Sequence, residues 1–164
     1  MDYRVVEKPS FKVVGKAMRV TTKDGENLRR IPEFWLECLR DGSHDKIEAL
    51  GAKGVVLGPV TLGICLDFSS NMEEFTYMIA AESSDGSVPD GLIEREIPAA
   101  TWAAFEGKGA MPDSIQTVWG GIWSDFFPSG QYKHGNAPDL ELYPPGDPRD
   151  ADYRFEVWVP VIAG

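Results

Sequence analysis

Two short stretches near the end of the chain place a glutamate two positions before a large aromatic residue. In "DLELY" Glu141 precedes Tyr143, and in "FEVWV" Glu156 precedes Trp158. Residues two apart on a β-strand share one face of the sheet, so each glutamate should stand beside its ring. Aromatic faces attract positive charge and a carboxylate supplies a counter-charge. The combination is typical of a site for an organic cation or a polarised aromatic molecule.

Apolar residues alternate with these pairs and predict which face of the sheet packs on helices. They are Leu140, Leu142, Phe155, Val157, Val159 and Val161. We therefore expect both glutamate–aromatic pairs to point to the opposite, open face. The competing interpretation is that the glutamates form only the solvated side of amphipathic strands. The two rings count against it, because a solvated face has no need of large aromatic side chains.

An internal similarity extends the set of candidate binding residues. The first half of the chain corresponds to the second when Phe75 is aligned with Phe155. Met78 and Glu82 then fall on the same face as the glutamate–aromatic pairs. Glu82 is thus a third candidate carboxylate, and Met78 a candidate contact beside it.

The remaining tryptophans divide between wall and core. Trp102, in "PAATWAAFEG", is a plausible further wall of the site. Trp35, Trp119 and Trp123 have helical spacing, which more often indicates core than ligand contact. Of these three, Trp123 is the one expected to reach the rim of a pocket.

The elements that must position these residues follow from periodicity. Helical apolar spacing runs from about Asn27 to Leu39 and from about Pro112 to Phe126. Each predicted helix carries Ile-x-x-x-Trp, at Ile31 and again at Ile115. Turn signals separate eight predicted strands, at 3–7, 11–21, 62–68, 75–82, 93–97, 100–106, 139–143 and 153–161.

Each half of the chain, about 1–90 and 91–164, thus reads strand, helix, strand, strand. The sequence predicts an α+β fold in which two such β-α-β-β units form one antiparallel sheet. We expect two helices on one face of this sheet and a ligand groove on the other. The 164 residues are predicted to form a single domain.

Composition excludes several classes of function. The chain carries 16 basic and 26 acidic residues, a net charge of −10, and no extended basic cluster, which argues against direct binding of nucleic acid. An acidic surface instead concentrates cations. No apolar run has the length of a membrane span and no signal-peptide pattern is present, so we expect a cytoplasmic protein that does not enter a membrane.

Motifs for metals, cofactors and nucleophilic catalysis are also missing from the sequence. His44 and His134 lack metal-ligand spacing, and Cys38 and Cys65 have no CxxC neighbour. Neither a phosphate-binding loop nor a G-x-S-x-G elbow occurs. We therefore expect no metal site and no cofactor.

Several stretches together resemble the GyrI-like small-molecule-binding domains, which also serve as effector-binding domains of AraC-type and MerR-type transcription activators. Ile97-Pro98 precedes a strand with Trp102 and Phe105, and "FTYMIAAES" fits the strand in the middle of such domains. The other matching stretches are "PDSIQTVW", "FFPSGQY", "PDLELY" and "EVWVPV". The resemblance is dense over 94–161 and thin over 1–60.

This resemblance implies a duplicated β-α-β-β fold with a groove between the halves, where glutamates and aromatic residues bind lipophilic cations. The role transfers by motif to Glu141, Tyr143, Glu156 and Trp158, and less directly to Glu82 and Trp102. Activators of this kind carry a helix-turn-helix domain ahead of the module, whereas this sequence begins at the module. We therefore expect no binding of operator DNA by this chain itself.

The leading hypothesis is a stand-alone sensor or sequestrant of lipophilic, cationic or aromatic compounds. A second hypothesis, also implied by stand-alone members of the family, is a hydrolase of strained electrophiles such as cyclopropane-containing genotoxins, with Glu141 or Glu156 as general base. A third is an acidic inhibitor of another protein, such as a topoisomerase, that acts through its surface charge. A protein partner or a homodimer is compatible with each hypothesis.

Overall fold

Nine strands and three α-helices make up the fold. A computed structural model describes the whole chain, Met1–Gly164. The elements in chain order are β1 Arg4–Lys8, β2 Phe11–Thr21, α1 Glu26–Asp41, α2 Ser43–Gly51, β3 Thr61–Leu66, β4 Glu74–Glu82, β5 Ile93–Ile97, β6 Ala100–Lys108, α3 Asp113–Gly121, β7 Tyr132–His134, β8 Asp139–Tyr143 and β9 Arg154–Ala163. After α3 the chain continues through a π-helical turn, Ile122–Phe126, and a 3-10 turn, Phe127–Ser129.

All strands belong to one antiparallel sheet, in the order β1-β6-β9-β8-β3-β4-β2-β5, with β7 paired to β9. The order is symmetric about the central β8–β3 pair, where the two halves of the chain meet. β1 pairs with β6 and β5 pairs with β2, so each half lends its first strand to the other half. The duplicated α+β arrangement predicted from the sequence is confirmed.

The helices lie on one side of the sheet, which we call the helix face. α1 and α2 cover the first half, where Phe34, Cys38 and Ile47 pack on a cluster that includes Tyr77. The segment from α3 through the π-helical turn covers the second half, where Ile115, Ile122 and Phe126 pack on strand residues such as Val157. α2 was not predicted; Gly42, in the left-handed conformation at φ 84°, lets the chain turn from α1 directly into it. None of the helices has the length and apolar character needed to span a membrane.

The opposite side of the sheet, which we call the back face, is also buried. Its thirteen-residue apolar cluster includes Leu62, Ile64 and Leu140. Val56, Leu57 and Val60, from the segment between α2 and β3, pack against this cluster. Because apolar residues are buried on both faces, an apolar alternation along a strand does not identify which face carries the helices.

Candidate ligand-binding site

The pairing of β8 with β9 decides which way the predicted site residues point. Glu141 lies opposite Val157, and Glu156 lies opposite Leu142. Val157 packs under α3 on the helix face, whereas Leu142 belongs to the back face. The expectation that both glutamate–aromatic pairs share the open face is therefore wrong. Glu141 and Tyr143 lie on the helix face, and Glu156 and Trp158 lie on the back face.

Glu141 occupies the middle of the helix face and is only 5% exposed. Tyr77 donates its hydroxyl to Oε1 at 2.6 Å, and Tyr143 donates to the same oxygen at 3.0 Å. The indole Nε1 of Trp119, from α3, donates to Oε2 at 2.8 Å. All three donors are neutral, so the carboxylate is solvated by the protein but its charge is not neutralised by these groups.

A second indole reaches the same network from the other helix. Trp35, on α1, donates Nε1 to the Tyr77 hydroxyl at 2.9 Å, and its ring lies 4.9 Å from that of Tyr143 at an angle of 69°. Gln116 of α3 donates to the Leu28 carbonyl of α1 at 3.2 Å, so the two helices are neighbours above the sheet. We call the cluster at this junction, comprising Glu141 with Trp35, Tyr77, Trp119 and Tyr143, the central groove; its side chains are in direct contact, so a ligand must displace some of them to enter.

Helical spacing predicts Trp35 and Trp119 as core residues, and no sequence pattern identifies Tyr77 as a site residue. The signal that could have found the indoles is their equivalence: each is the tryptophan of Ile-x-x-x-Trp in its own half. Two related helices that both direct an indole N–H to one carboxylate network give this repeat a polar role as well as a packing role.

Gly63 provides the space that this network occupies. It lies on β3 directly opposite Glu141 of β8. A Cβ atom at this position would overlap both Glu141 Oε1 and the Tyr77 hydroxyl. A glycine inside a strand often marks such a close approach.

The environment of Glu141 shifts its titration. Burial raises the pKa of the carboxyl group, the hydrogen bonds from Tyr77, Trp119 and Tyr143 offset part of this effect, and the nearby Asp139 raises the pKa further. Burial and the charge of Glu141 raise the pKa of both Tyr77 and Tyr143 well above the ordinary value, so the hydroxyls remain donors. A cation that entered the groove would stabilise the ionised carboxylate.

A second buried carboxylate lies beside the central groove. Asp139, on the same strand and face as Glu141, is 3% exposed and lies 2.6 Å from Nε2 of His134. Trp123 stacks on the His134 ring with centroids 5.7 Å apart and an angle of 17°. Trp123 itself is 48% exposed. It thus stands at the surface beside this pair.

The back-face residues predicted for the site lie apart from the central groove. Glu156 accepts hydrogen bonds from Arg4 at 2.6 Å and from Trp158 Nε1 at 2.9 Å. Trp102 is fully buried and donates Nε1 to the Pro138 carbonyl at 3.0 Å, while Met78 is fully buried in the same cluster. The structure therefore divides the site predicted from the sequence between the two faces of the sheet.

Glu82, also predicted as a binding carboxylate, holds the loop that covers the back face. Its oxygens accept hydrogen bonds from the backbone N–H groups of Val55, Val56 and Leu57 at 2.9–3.0 Å. Glu82 is only 4% exposed. Burial acts to raise the pKa of Glu82, but these hydrogen bonds outweigh it and the net pKa is lowered.

We expect Glu82→Gln to destabilise the fold by about 1–3 kcal/mol, because charge-assisted hydrogen bonds to three amides are lost. A carboxyl group whose pKa is lowered by folding contributes stability above its unfolded pKa, and this contribution is lost as pH falls through the folded pKa. Urea unfolding of both proteins from pH 7 to pH 3 measures the effect. The difference between them should shrink in acid; a constant difference would contradict the role of the charge.

One polar depression of about 260 Å³ lies away from these carboxylates, near the start of α1. Its lining includes Arg19 and Arg30, which donate to the Asp67 carbonyl and to Glu37, and only one of its six residues is hydrophobic. This lining does not suit a lipophilic molecule, in contrast to the central groove.

The duplicated sheet, with a buried carboxylate among aromatic residues between the helices of its two halves, defines the chain as a small-molecule-binding domain. Residues 1–162 match the family described as the GyrI-like small molecule binding domain. The chain belongs to this family.

Similar proteins come from transcription regulation and from structures of related domains. The transcriptional regulator BrlR of Pseudomonas aeruginosa is 25% identical over 166 residues, which cover 98% of this chain and 56% of BrlR, so the chain spans about half of that relative. The structure of SAV2435 bound to tetraphenylphosphonium superposes with a TM-score of 0.85 at 22% identity, over 99% of this chain and 94% of the other. A putative transcription regulation protein from Staphylococcus aureus MU50 has a TM-score of 0.80 at 22% identity, with 98% of each chain covered. These similarities establish the fold.

Proposed function

We propose that this domain binds a lipophilic organic cation in the central groove, with Glu141 as the counter-charge. The observation that carries the proposal is the bonding of Glu141, a nearly fully buried carboxylate whose three donors are all neutral. A buried charge without an opposite charge is costly and is concentrated at functional sites. A cationic ligand would supply the missing charge.

The groups around the carboxylate define the chemical class of the ligand. Trp35, Trp119 and Tyr143 are partly exposed rings beside Glu141, and they would present aromatic surface to a guest that opens the groove. Each ring face adds about 0.5–2 kcal/mol to the binding of a cation as water is excluded. Aromatic or alkyl-rich cations therefore fit better than small hydrated ones. The complex of the structurally similar SAV2435 with tetraphenylphosphonium supports the choice of this cation as a probe.

The biological role we propose is that of an effector-binding module for regulation, or of a sequestrant. The relationship to the regulator BrlR supports the first of these. In either role the domain would bind its ligand and release it unchanged.

Calorimetric titration of the purified protein with tetraphenylphosphonium tests the proposal, with the neutral triphenylphosphine oxide as the matched control. We expect saturable binding of the cation and at least roughly tenfold weaker binding of the neutral compound, because only the cation gains from Glu141 and the ring faces. Equal affinities would show that charge is not recognised and would contradict the proposal.

The hydrolase hypothesis is separated from binding by mass analysis. A buried carboxyl group of raised pKa can serve as a general base, which keeps this second candidate open for Glu141. The protein is incubated with a cyclopropane-containing electrophile, and the mass of every recovered compound is measured by mass spectrometry. A gain of one water that disappears in Glu141→Gln would favour the hydrolase, and intact compound would favour a binding module.

A further inference from the structure

A second group of fixed geometry lies next to Glu141 and can change the charge of the central groove. Asp139 precedes Glu141 by two residues on β8, so both carboxylates lie on the helix face, roughly 7 Å apart along the strand. Asp139 is 3% exposed. Its bonding partner is His134 of β7, whose Nε2 lies 2.6 Å from Oδ1.

The hydrogen bond at Nδ1, the other ring nitrogen of His134, determines the protonation of the pair. Nδ1 lies 2.7 Å from the Gly135 carbonyl oxygen, which can only accept, so Nδ1 carries a hydrogen. A neutral ring with its hydrogen on Nδ1 has a bare Nε2, and a bare nitrogen would repel a carboxylate at 2.6 Å. One further proton must therefore lie between Nε2 and Asp139. The pair is then neutral as a whole, either as imidazolium with carboxylate or as imidazole with carboxylic acid.

We propose that His134 and Asp139 form a proton-carrying pair that sets the charge of the central groove, so that loss of its proton strengthens the binding of cations. With the proton present, Glu141 is the one uncompensated charge on the groove floor. Without the proton, the His134–Asp139 pair carries a second negative charge, two residues from Glu141 on the same strand. This inference rests on the proposed function, since it concerns the affinity of the same groove.

Few other titratable groups surround this pair. The titratable groups facing Asp139 are His134, Glu141 and, across β3, Cys65, whose pKa is raised well above the ordinary value by burial. His134 is otherwise enclosed by three uncharged rings, those of Phe68, Trp123 and Phe127. Facing Glu141 are Tyr77 and Tyr143, which remain protonated, and Trp119, which does not titrate.

The direction of the pH effect follows from His134. Burial acts to lower its pKa, but the hydrogen bond and charge of Asp139 outweigh burial, so the net pKa is raised above the ordinary value. The pair therefore releases its proton at a higher pH than a free imidazole does. Affinity for a cation should rise through the same range, and by linkage the bound cation should promote release of the proton.

The first test is the affinity for tetraphenylphosphonium from pH 6 to pH 9.5 in the wild type and in Asp139→Asn. We expect the wild-type affinity to rise about three- to tenfold, the effect of one extra charge at this distance in a partly solvated groove. The profile of Asp139→Asn should rise less, because the amide carries no charge at any pH and the ionisation of Glu141 is common to both proteins. A flat wild-type profile, or a wild-type rise in the variant, would overturn the proposal.

The second test needs no folded variant of Asp139. The side-chain resonances of His134 are titrated by NMR in the wild type, with and without saturating tetraphenylphosphonium; the chain has two histidines, and His134→Gln identifies the signal. The bound cation should lower the pKa of His134. The acid dissociation constant of His134 should increase by the same factor by which high pH strengthens cation binding. An unchanged titration with the cation bound would overturn the inference. Failure of tetraphenylphosphonium to bind at any pH would instead reject the proposed function.

Discussion

Replacement of Glu141 by Gln should weaken the binding of tetraphenylphosphonium by roughly 30- to 100-fold, the effect of one partly desolvated charge pair. The substitution removes the charge and retains the size of the side chain. The Gln carbonyl can still accept hydrogen bonds from Tyr77 and Tyr143, which in the wild type donate to Glu141 Oε1. Isothermal titration at pH 7.5 measures the affinity, and binding of the neutral triphenylphosphine oxide should change little.

The same substitution should lower the stability of the fold by about 1–3 kcal/mol at acid pH, because the Gln amide nitrogen takes the place of Oε2 and leaves the Trp119 N–H without its acceptor. Burial raises the pKa of Glu141, so its ionised form is favoured less in the folded state than in the unfolded chain. Stability is therefore lost as pH rises from the unfolded pKa through the folded pKa, and this loss is absent from the Gln variant. Thermal unfolding from pH 4 upward should show that the stability of the variant increases relative to that of the wild type as pH rises. A difference in stability between the two proteins that did not change with pH would contradict the raised pKa of Glu141.

Glu156→Gln is the matched control, because it makes the same chemical change on the other face of the sheet. Glu156 is engaged with Arg4 and Trp158 there and makes no contact with the central groove. We expect its affinity for tetraphenylphosphonium to equal that of the wild type. A comparable loss in both variants would mean that general acidity of the protein, rather than the charge of Glu141, attracts the cation.

Local signals in the sequence were sufficient for most of the elements. The strands over 11–21, 93–97 and 139–143 have the predicted bounds, since turn residues flank them and their apolar content is high. α2 was missed because its nine residues contribute few buried apolar side chains, such as Ile47. β7 has only three residues, too few to show a period of two.

The faces of the strands could not be assigned from alternation. Leu140 and Leu142 are as buried as Val157 and Val159, yet they lie on opposite sides of the sheet. A sheet buried on both faces offers two equivalent apolar patterns, and only the pairing of β8 with β9 decides between them. The expected site therefore joined residues that the sheet separates, and the role of Glu141 and Tyr143 in it stays a prediction.

The hydrogen bonds of the central groove depend on contacts far apart in the chain. Tyr77 and Glu141 are 64 residues apart, and Trp35 joins them from a third element. No local spacing encodes such a meeting. The internal repeat is the exception, because equivalent tryptophans on two related helices both donate into this network. A repeat of this kind is a better guide to a shared site than the apolar stripe to which each tryptophan also belongs.

Gly63→Ala should disrupt the central groove from beneath, without replacing any residue that is proposed to contact the ligand. Its Cβ would overlap Glu141 Oε1 and the Tyr77 hydroxyl, so both groups must move. We expect a loss of about 1–3 kcal/mol in the free energy of unfolding, as is usual for overpacking. Displacement of the carboxylate should also weaken tetraphenylphosphonium binding by at least about tenfold, since positioning of a charged group by roughly one ångström matters at a site of this kind.

Gly107→Ala separates these two effects. Gly107 lies on β6 in the other half, where a Cβ would overlap the ring of Phe155, which is not a member of the hydrogen-bond network of Glu141. It should destabilise the fold to a similar extent and leave the cation affinity of the folded protein unchanged. Urea unfolding gives the folded fraction, and titration under conditions where both variants are folded gives the affinity. If both variants lost affinity equally, strain in the sheet would explain the loss; if only Gly63→Ala did, the position of Glu141 sets the affinity of the groove.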